Sequence, residues 1–246
     1  MTPRRRPARS GNPAVAARQA EQARAQETRG WYGRLRAAFA TERVPRGVDY
    51  PHVLRTPNAN AFTSMLGVTL GLLSFMVFAP LVSRLLAAVY WMAVGSPDGF
   101  DDTFGALVRY ELPFGLAVGH LGLAMLIPIA YGLVLVVHRA DPGYLSSVTG
   151  RLRWRWFWPC LGVGFVSLWA VIGVQNLTAP GGPSWELTPQ EGAVWFIAVM
   201  LVTTPLQAAA EEYFFRGYLL QALGSMVASP WFGIVTSAAV FTVFHG

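Results

Sequence analysis

GAVWFIAVMLVTTPLQAAAEEYFFRGYLLQA, residues 192–222, decides how this 246-residue chain is read. Its first half is apolar enough for a membrane-spanning helix, and the helical character runs on through the rest. Yet the run carries two adjacent glutamates, Glu211 and Glu212, and an arginine, Arg216. A charged residue at mid-helix stands about 2.5 to 3.5 kcal/mol uphill on insertion scales, so three together require a function or a partner.

Outward from that segment, the composition supports the membrane reading. The chain is 53% hydrophobic and 13% charged, with a mean hydropathy of +0.39. A soluble domain carries about 25% charged residues. Five apolar segments stand near 62–94 (one span with a tail after Pro80), 112–137, 156–178, 192–222 and 230–246. The expected fold is therefore all-α, a polytopic membrane helix bundle of about five transmembrane helices. A lone Cys160 excludes an intrachain disulfide. All 19 basic residues are arginine, a usage suggesting a GC-rich bacterial genome and hence the bacterial inner membrane.

Charge divides the chain at residue 61. Residues 1–61 hold twelve arginines and four acids, a net +8, and the remainder nets −2. The opening thirty residues lack apolar content and read as a disordered basic arm, not a signal peptide, since the first apolar run begins only near Ala61. Within the arm Trp31, Leu35 and Phe39 stand four apart, which predicts an interfacial helix over 31–43. Anionic lipid is the expected partner of the arm, and no nucleic-acid role is expected. The 138–155 loop holds Arg139, Arg151, Arg153 and Arg155 against Asp141 alone. The loops at 95–111 and 179–191 lean acidic. This alternation places the N-terminus in the cytoplasm and divides the chain into a 1–61 arm and a 62–246 bundle.

Other conspicuous residues have plain roles. Trp154, Trp156 and Trp158 read as an interface belt. The Gly67–Gly71 and Gly115–Gly119 spacings read as close helix packing. His120 reads as a packed or cavity-facing histidine. No phosphate loop, CxxC pair or HExxH motif is present.

Depth along the helices brings the unusual residues together. Glu212 stands about 12 residues before the Gly- and Ser-containing turn at 224–230, or roughly 18 Å at 1.5 Å per residue. His245 stands about 15 residues beyond it, or roughly 22 Å. An antiparallel pair about that turn sets Glu211 or Glu212 level with His245. Glu212 and Arg216 are spaced i, i+4 with the acid first, the favourable order for an ion pair. Glu211 points about 100° away, on the face of Gln207 and Thr204. Glu212 is thus held while Glu211 is presented to a polar cavity, as a general base requires.

Glu211-Glu212-x-x-x-Arg216, followed about 25 residues later by Phe241-x-x-x-His245, resembles the first two motifs of the CPBP intramembrane proteases, the family of the type II CAAX prenyl endopeptidases and bacteriocin-processing proteins. The resemblance covers 192–246, as the N-terminal part of the family's protease core. It implies an endopeptidase acting on a membrane-associated protein or peptide. Glu211 would activate water, Glu212 and Arg216 would support it, and His245 would bind a metal or stabilise the oxyanion. A divalent metal, zinc, is the implied cofactor, with His245 and Glu211 as its ligands. A catalytic zinc takes three protein ligands, and only these two can be named. Family members carry further helices and ligands past FxxxH, whereas this sequence stops one residue after His245. The expectation is a C-terminally truncated chain with half a site. Two other functions stay open: a transporter or proton-coupled carrier lined by Glu211, Glu212 and Arg216, and a non-catalytic membrane scaffold.

Overall fold

The computed structural model describes residues 30–245 apart from 43, 46, 58, 96–97, 183–188 and 190. Most of the expected basic arm therefore lies outside the described residues, as does Glu186 of the acidic loop. A first compact unit, residues 1–41, contains helix α1 (Trp31–Phe39), within the segment expected to form an interfacial helix. Everything from Glu42 onward forms a second unit.

The second unit is helical throughout, with no strand among the described residues, as the sequence predicts. Helix α2 (Ala61–Val94) runs 34 residues without a break, Pro80 included. A capping box starts it: Asn60 Oδ1 accepts from Thr63 N at 2.9 Å, and Thr63 Oγ1 accepts from Asn60 N at 3.2 Å. Gly95, at φ +59°, ends it in the left-handed conformation that glycine adopts without a Cβ clash. The acidic 95–111 connection contains a further helix, α3 (Phe100–Val108), with Asp101 and Asp102 in its first turn. Acids there offset the positive end of the helix dipole, a local signal that the reading of charge alone overlooks. Helices α4 (Pro113–Ala124) and α5 (Leu126–Val136) make one crossing, and α6 (Trp154–Leu177) makes the next. The deciding segment forms α7 (Ala193–Glu211), a π-helical stretch at Glu212–Leu219, and α8 (Leu220–Met226). Helix α9 (Pro230–His245) closes the chain.

Four of these crossings are long and apolar enough for a bilayer, and α9 is a shorter apolar helix of 16 residues. Most large apolar side chains outside the core are exposed, which in a bilayer means lipid-facing. The chain is a multi-pass membrane protein.

Two boundaries differ from expectation. The 1–61 arm ends early, because the apolar stretch around Pro51–Leu54 is buried and Leu54 joins the central core. Gly224 does not begin the turn. Helix α8 continues to Met226, and Gly224 serves a close approach: a Cβ there would stand 2.3 Å from the Pro51 carbonyl oxygen. The Gly67–Gly71 reading holds. A Cβ on Gly67 would reach Tyr218 Oη at 2.0 Å, and one on Gly71 would meet Leu133 and Phe214.

Candidate active site

The charged stretch is built with two faces. Phe214, Phe215, Gly217, Tyr218 and Leu219 are buried in the central core with Leu54, Leu126, Ala130 and Val134. Tyr218 Oη bonds His138 Nε2 at 3.2 Å, Tyr213 Oη bonds Ser146 Oγ at 2.8 Å, and Gln221 Nε2 donates to the Tyr144 carbonyl at 3.0 Å. The aromatic face thus pins this turn to α5 and to the loop after it. With that face fixed, the charges must project elsewhere. The widened i→i+5 winding at Glu212–Leu219 is of a kind frequently found at functional sites, and no residue pattern announced it.

Glu211 stands at the junction of α7 and the π-helical stretch, its side chain 17% exposed. Gln207 Nε2, one turn earlier, donates to its Oε1 at 2.6 Å. Glu212 pairs with Arg216 as their spacing predicts, but both side chains are more than half exposed in this chain. The pair is therefore a surface feature here, rather than the buried pair that its place in an apolar span suggested.

Helix α9 supplies the imidazole. Phe241 packs edge-on against Phe215 at 5.2 Å between ring centroids and stacks on His245 at 4.0 Å. His245 Nδ1 lies 2.9 Å from the Phe241 carbonyl oxygen. A carbonyl can only accept, so Nδ1 carries a proton, and in the neutral ring Nε2 then presents a lone pair. That Nε2 faces Glu211 Oε1 at 3.7 Å. Two acceptors turned toward each other call for a proton, a water or a cation between them.

A zinc ion takes histidine nitrogen at about 2.0–2.1 Å and carboxylate oxygen at about 2.0–2.2 Å, so one ion spans such a gap. Among the described residues no group of three or more His, Cys, Asp or Glu is placed to hold a metal. The residues present fit two ligand positions of a metal centre and not a whole one. His120 lies within electrostatic reach of Glu211 but is not placed as a third ligand beside the pair. Its Nδ1 lies 2.8 Å from Thr203 Oγ1, which donates to the Val199 carbonyl, so it acts on α7 two turns before Glu211. Nothing in the spacing of His120 pointed to Thr203.

The arrangement is that of a polytopic helical membrane protein with a carboxylate and an imidazole facing each other, the first 17% and the second 44% exposed in this chain. Residues 193–246 match the family described as type II CAAX prenyl endopeptidase Rce1-like. The resemblance carried by the two motifs therefore holds, and the C-terminal part of the chain is Rce1-like in sequence. An uncharacterized protein of Bacillus subtilis (strain 168), YyaK, is 32% identical over 164 residues, covering 65% of this chain and 53% of that protein. The chain spans about half the length of that curated relative. No solved structure matches it.

Proposed function

We propose that the protein is an intramembrane endopeptidase that hydrolyses a peptide bond in a membrane-associated substrate. The observation that carries this reading is the facing pair, Glu211 Oε1 and His245 Nε2, 3.7 Å apart. Glu211, steadied by Gln207, takes a proton from water as the water oxygen attacks the peptide carbonyl carbon. It then passes that proton to the leaving nitrogen as the C–N bond breaks. His245, with Nδ1 donating to the Phe241 carbonyl, turns Nε2 toward the site. With the ring neutral it serves as a metal ligand or as a second acceptor for the attacking water. A divalent metal, if bound, would use His245 and Glu211 and would polarise the carbonyl or the water. Glu212 and Arg216 flank the site and suit contact with the substrate backbone.

The test is turnover in proteoliposomes against lipid-anchored, quenched fluorescent peptides. Glu211→Gln keeps shape and hydrogen bonding but removes the base, and should cut the rate about 10²- to 10⁴-fold. His245→Ala should do the same. Near-normal turnover in Glu211→Gln removes Glu211 from the mechanism.

A carrier is the second reading. It is supported by the polar row along α7, from the His120–Thr203 contact to the Gln207–Glu211 contact. Glu211-dependent proton uptake without peptide cleavage would favour it. On either reading, the arginine-rich 138–155 loop and the N-terminus face the cytoplasm. Ser147, bonded to Thr149 and the Arg151 carbonyl, is buried, so exposed Thr149 is the position to probe. A Thr149→Cys variant in a Cys160→Ser background should label only after the inner membrane is permeabilised.

A further inference from the structure

Helices α4 and α7 carry few polar side chains, and those few face one another. In α4 the only one is His120. In α7, apart from Trp195 in the first turn, they are Thr203, Thr204, Gln207 and Glu211. At about 100° per residue these four fall within one sector of roughly 100°, and the rest of the helix is apolar. His120 turns into that sector, since its Nδ1 lies 2.8 Å from Thr203 Oγ1. It is also within electrostatic reach of Glu211. From the level of Thr203 to that of Glu211 the helix rises about 12 Å.

The hydrogen bonds along this sector leave acceptors over. Thr203 gives its only proton to the Val199 carbonyl at 2.8 Å, so it accepts from His120 Nδ1–H. In the neutral ring His120 Nε2 is then a lone pair. Gln207 Nε2 donates to Glu211 Oε1 at 2.6 Å, which leaves the Gln207 side-chain oxygen as an acceptor. Gln207 and His245 both approach Glu211 at Oε1, so Oε2 is a further acceptor. Thr204 Oγ1 is buried without a hydrogen-bond partner among the described residues, a costly state for a hydroxyl. Acceptors cannot bond to one another. A row of them requires a donor small enough to repeat along it, and water is the donor that such polar sites hold.

We propose that a file of about three waters runs along this sector from His120 Nε2 to the Glu211 carboxylate, past Thr204 and Gln207. Three waters make four hydrogen bonds of about 2.8 Å each, which matches the rise from Thr203 to Glu211. His120 is a positioning residue: with Nδ1 fixed on Thr203, its Nε2 holds the first water. The file delivers the water that Glu211 activates. That role rests on the proteolytic reading, whereas the file itself does not.

The experiment is solid-state NMR of the reconstituted protein, with magnetisation transferred either from water or from lipid acyl chains. The His120 ring and the Thr204 side chain should receive it from water, and Val166 of α6 from acyl chains. Two variants separate the file from the Thr203 contact. His120→Asn places an amide N–H where Nδ1 stands and keeps the bond to Thr203, but has nothing at the Nε2 position. His120→Gln reaches the Nε2 position and gives up Thr203. The water signal at Thr204 should be lost in His120→Asn and kept in His120→Gln. Turnover should fall about tenfold in His120→Asn and stay within about threefold in His120→Gln. A histidine that only braces Thr203 gives the opposite order. Acyl-chain transfer to Thr204 in the wild type, or a water signal that survives His120→Asn, overturns the proposal. Normal turnover in His120→Asn with Glu211→Gln inactive also overturns the role of His120 and leaves the proteolytic reading standing. A wild type that shows the water signal but no turnover supports the file and refutes the proteolytic reading instead.

Discussion

Helix α6 and the Glu212–Leu219 stretch are both embedded in apolar sequence, and they behave in opposite ways. None of the 24 residues of α6 is buried, and its tryptophans, leucines and valines all face outward. Five of the eight residues from Glu212 to Leu219 are buried, and that segment also carries the charges. Hydrophobicity therefore does not locate the core of a membrane bundle, because lipid covers an apolar side chain as well as another helix does. The core forms where aromatic rings and small residues interlock, and here the interlocking serves to aim two carboxylates and a guanidinium. In α6 the sequence meets lipid. In the π-helical stretch it meets itself.

That contrast is open to attack by substitution, and thermal unfolding in detergent is the readout throughout. Phe214 is fully buried against Phe215 and Tyr218, and Phe214→Ala should cost about 3–5 kcal/mol. A cost below about 1 kcal/mol would mean that the aromatic face does not anchor the turn.

The next effect is a pH dependence. Burial holds the His138 imidazole down to about 4, against about 6.5 when unfolded. A depressed histidine is neutral in the fold, so the unfolded chain binds more protons between those values. Stability should be full above about pH 6.5 and should fall by about 1.4 kcal/mol per unit as pH drops toward 4. His138→Gln can keep a hydrogen bond to Tyr218 and should flatten that slope. A slope that survives the substitution assigns the effect to another group.

Gly67→Ala comes third. Its Cβ would stand 2.0 Å from Tyr218 Oη and 3.1 Å from His138 Nε2, and the overpacking should cost about 1–3 kcal/mol. The smallest effect belongs to α6, where Val166→Ala should stay within about 0.5 kcal/mol. A large loss there would mean that α6 has a protein partner and not lipid against it.

Much of this was legible in the residues. The apolar runs placed every crossing, and the i, i+4 spacing of Glu212 and Arg216 gave their pairing. The level of His245 followed from counting residues through a turn, because helical rise is constant whatever the side chains. What stayed hidden depends on tertiary contact. The π-helical winding is set by Phe214, Phe215 and Tyr218 settling into the core, a demand made by α2 and α5 and not by the segment itself. The outward exposure of Glu212 and Arg216 follows from the same settling. The role of Gly224 was misread because a glycine that permits close approach looks, in sequence, like a glycine that ends a helix.

Glu211 and His245 face each other, and in the neutral ring the Nε2 lone pair is turned toward the carboxylate. Nitrogen-15 NMR of His245 in the reconstituted protein addresses it directly, because the two ring nitrogens report protonation separately. The expected result is a protonated Nδ1, an unprotonated Nε2, and an Nε2 resonance that moves in Glu211→Gln but not in Glu212→Gln. A protonated Nε2 in the wild type, or an Nε2 resonance indifferent to Glu211→Gln, would contradict it.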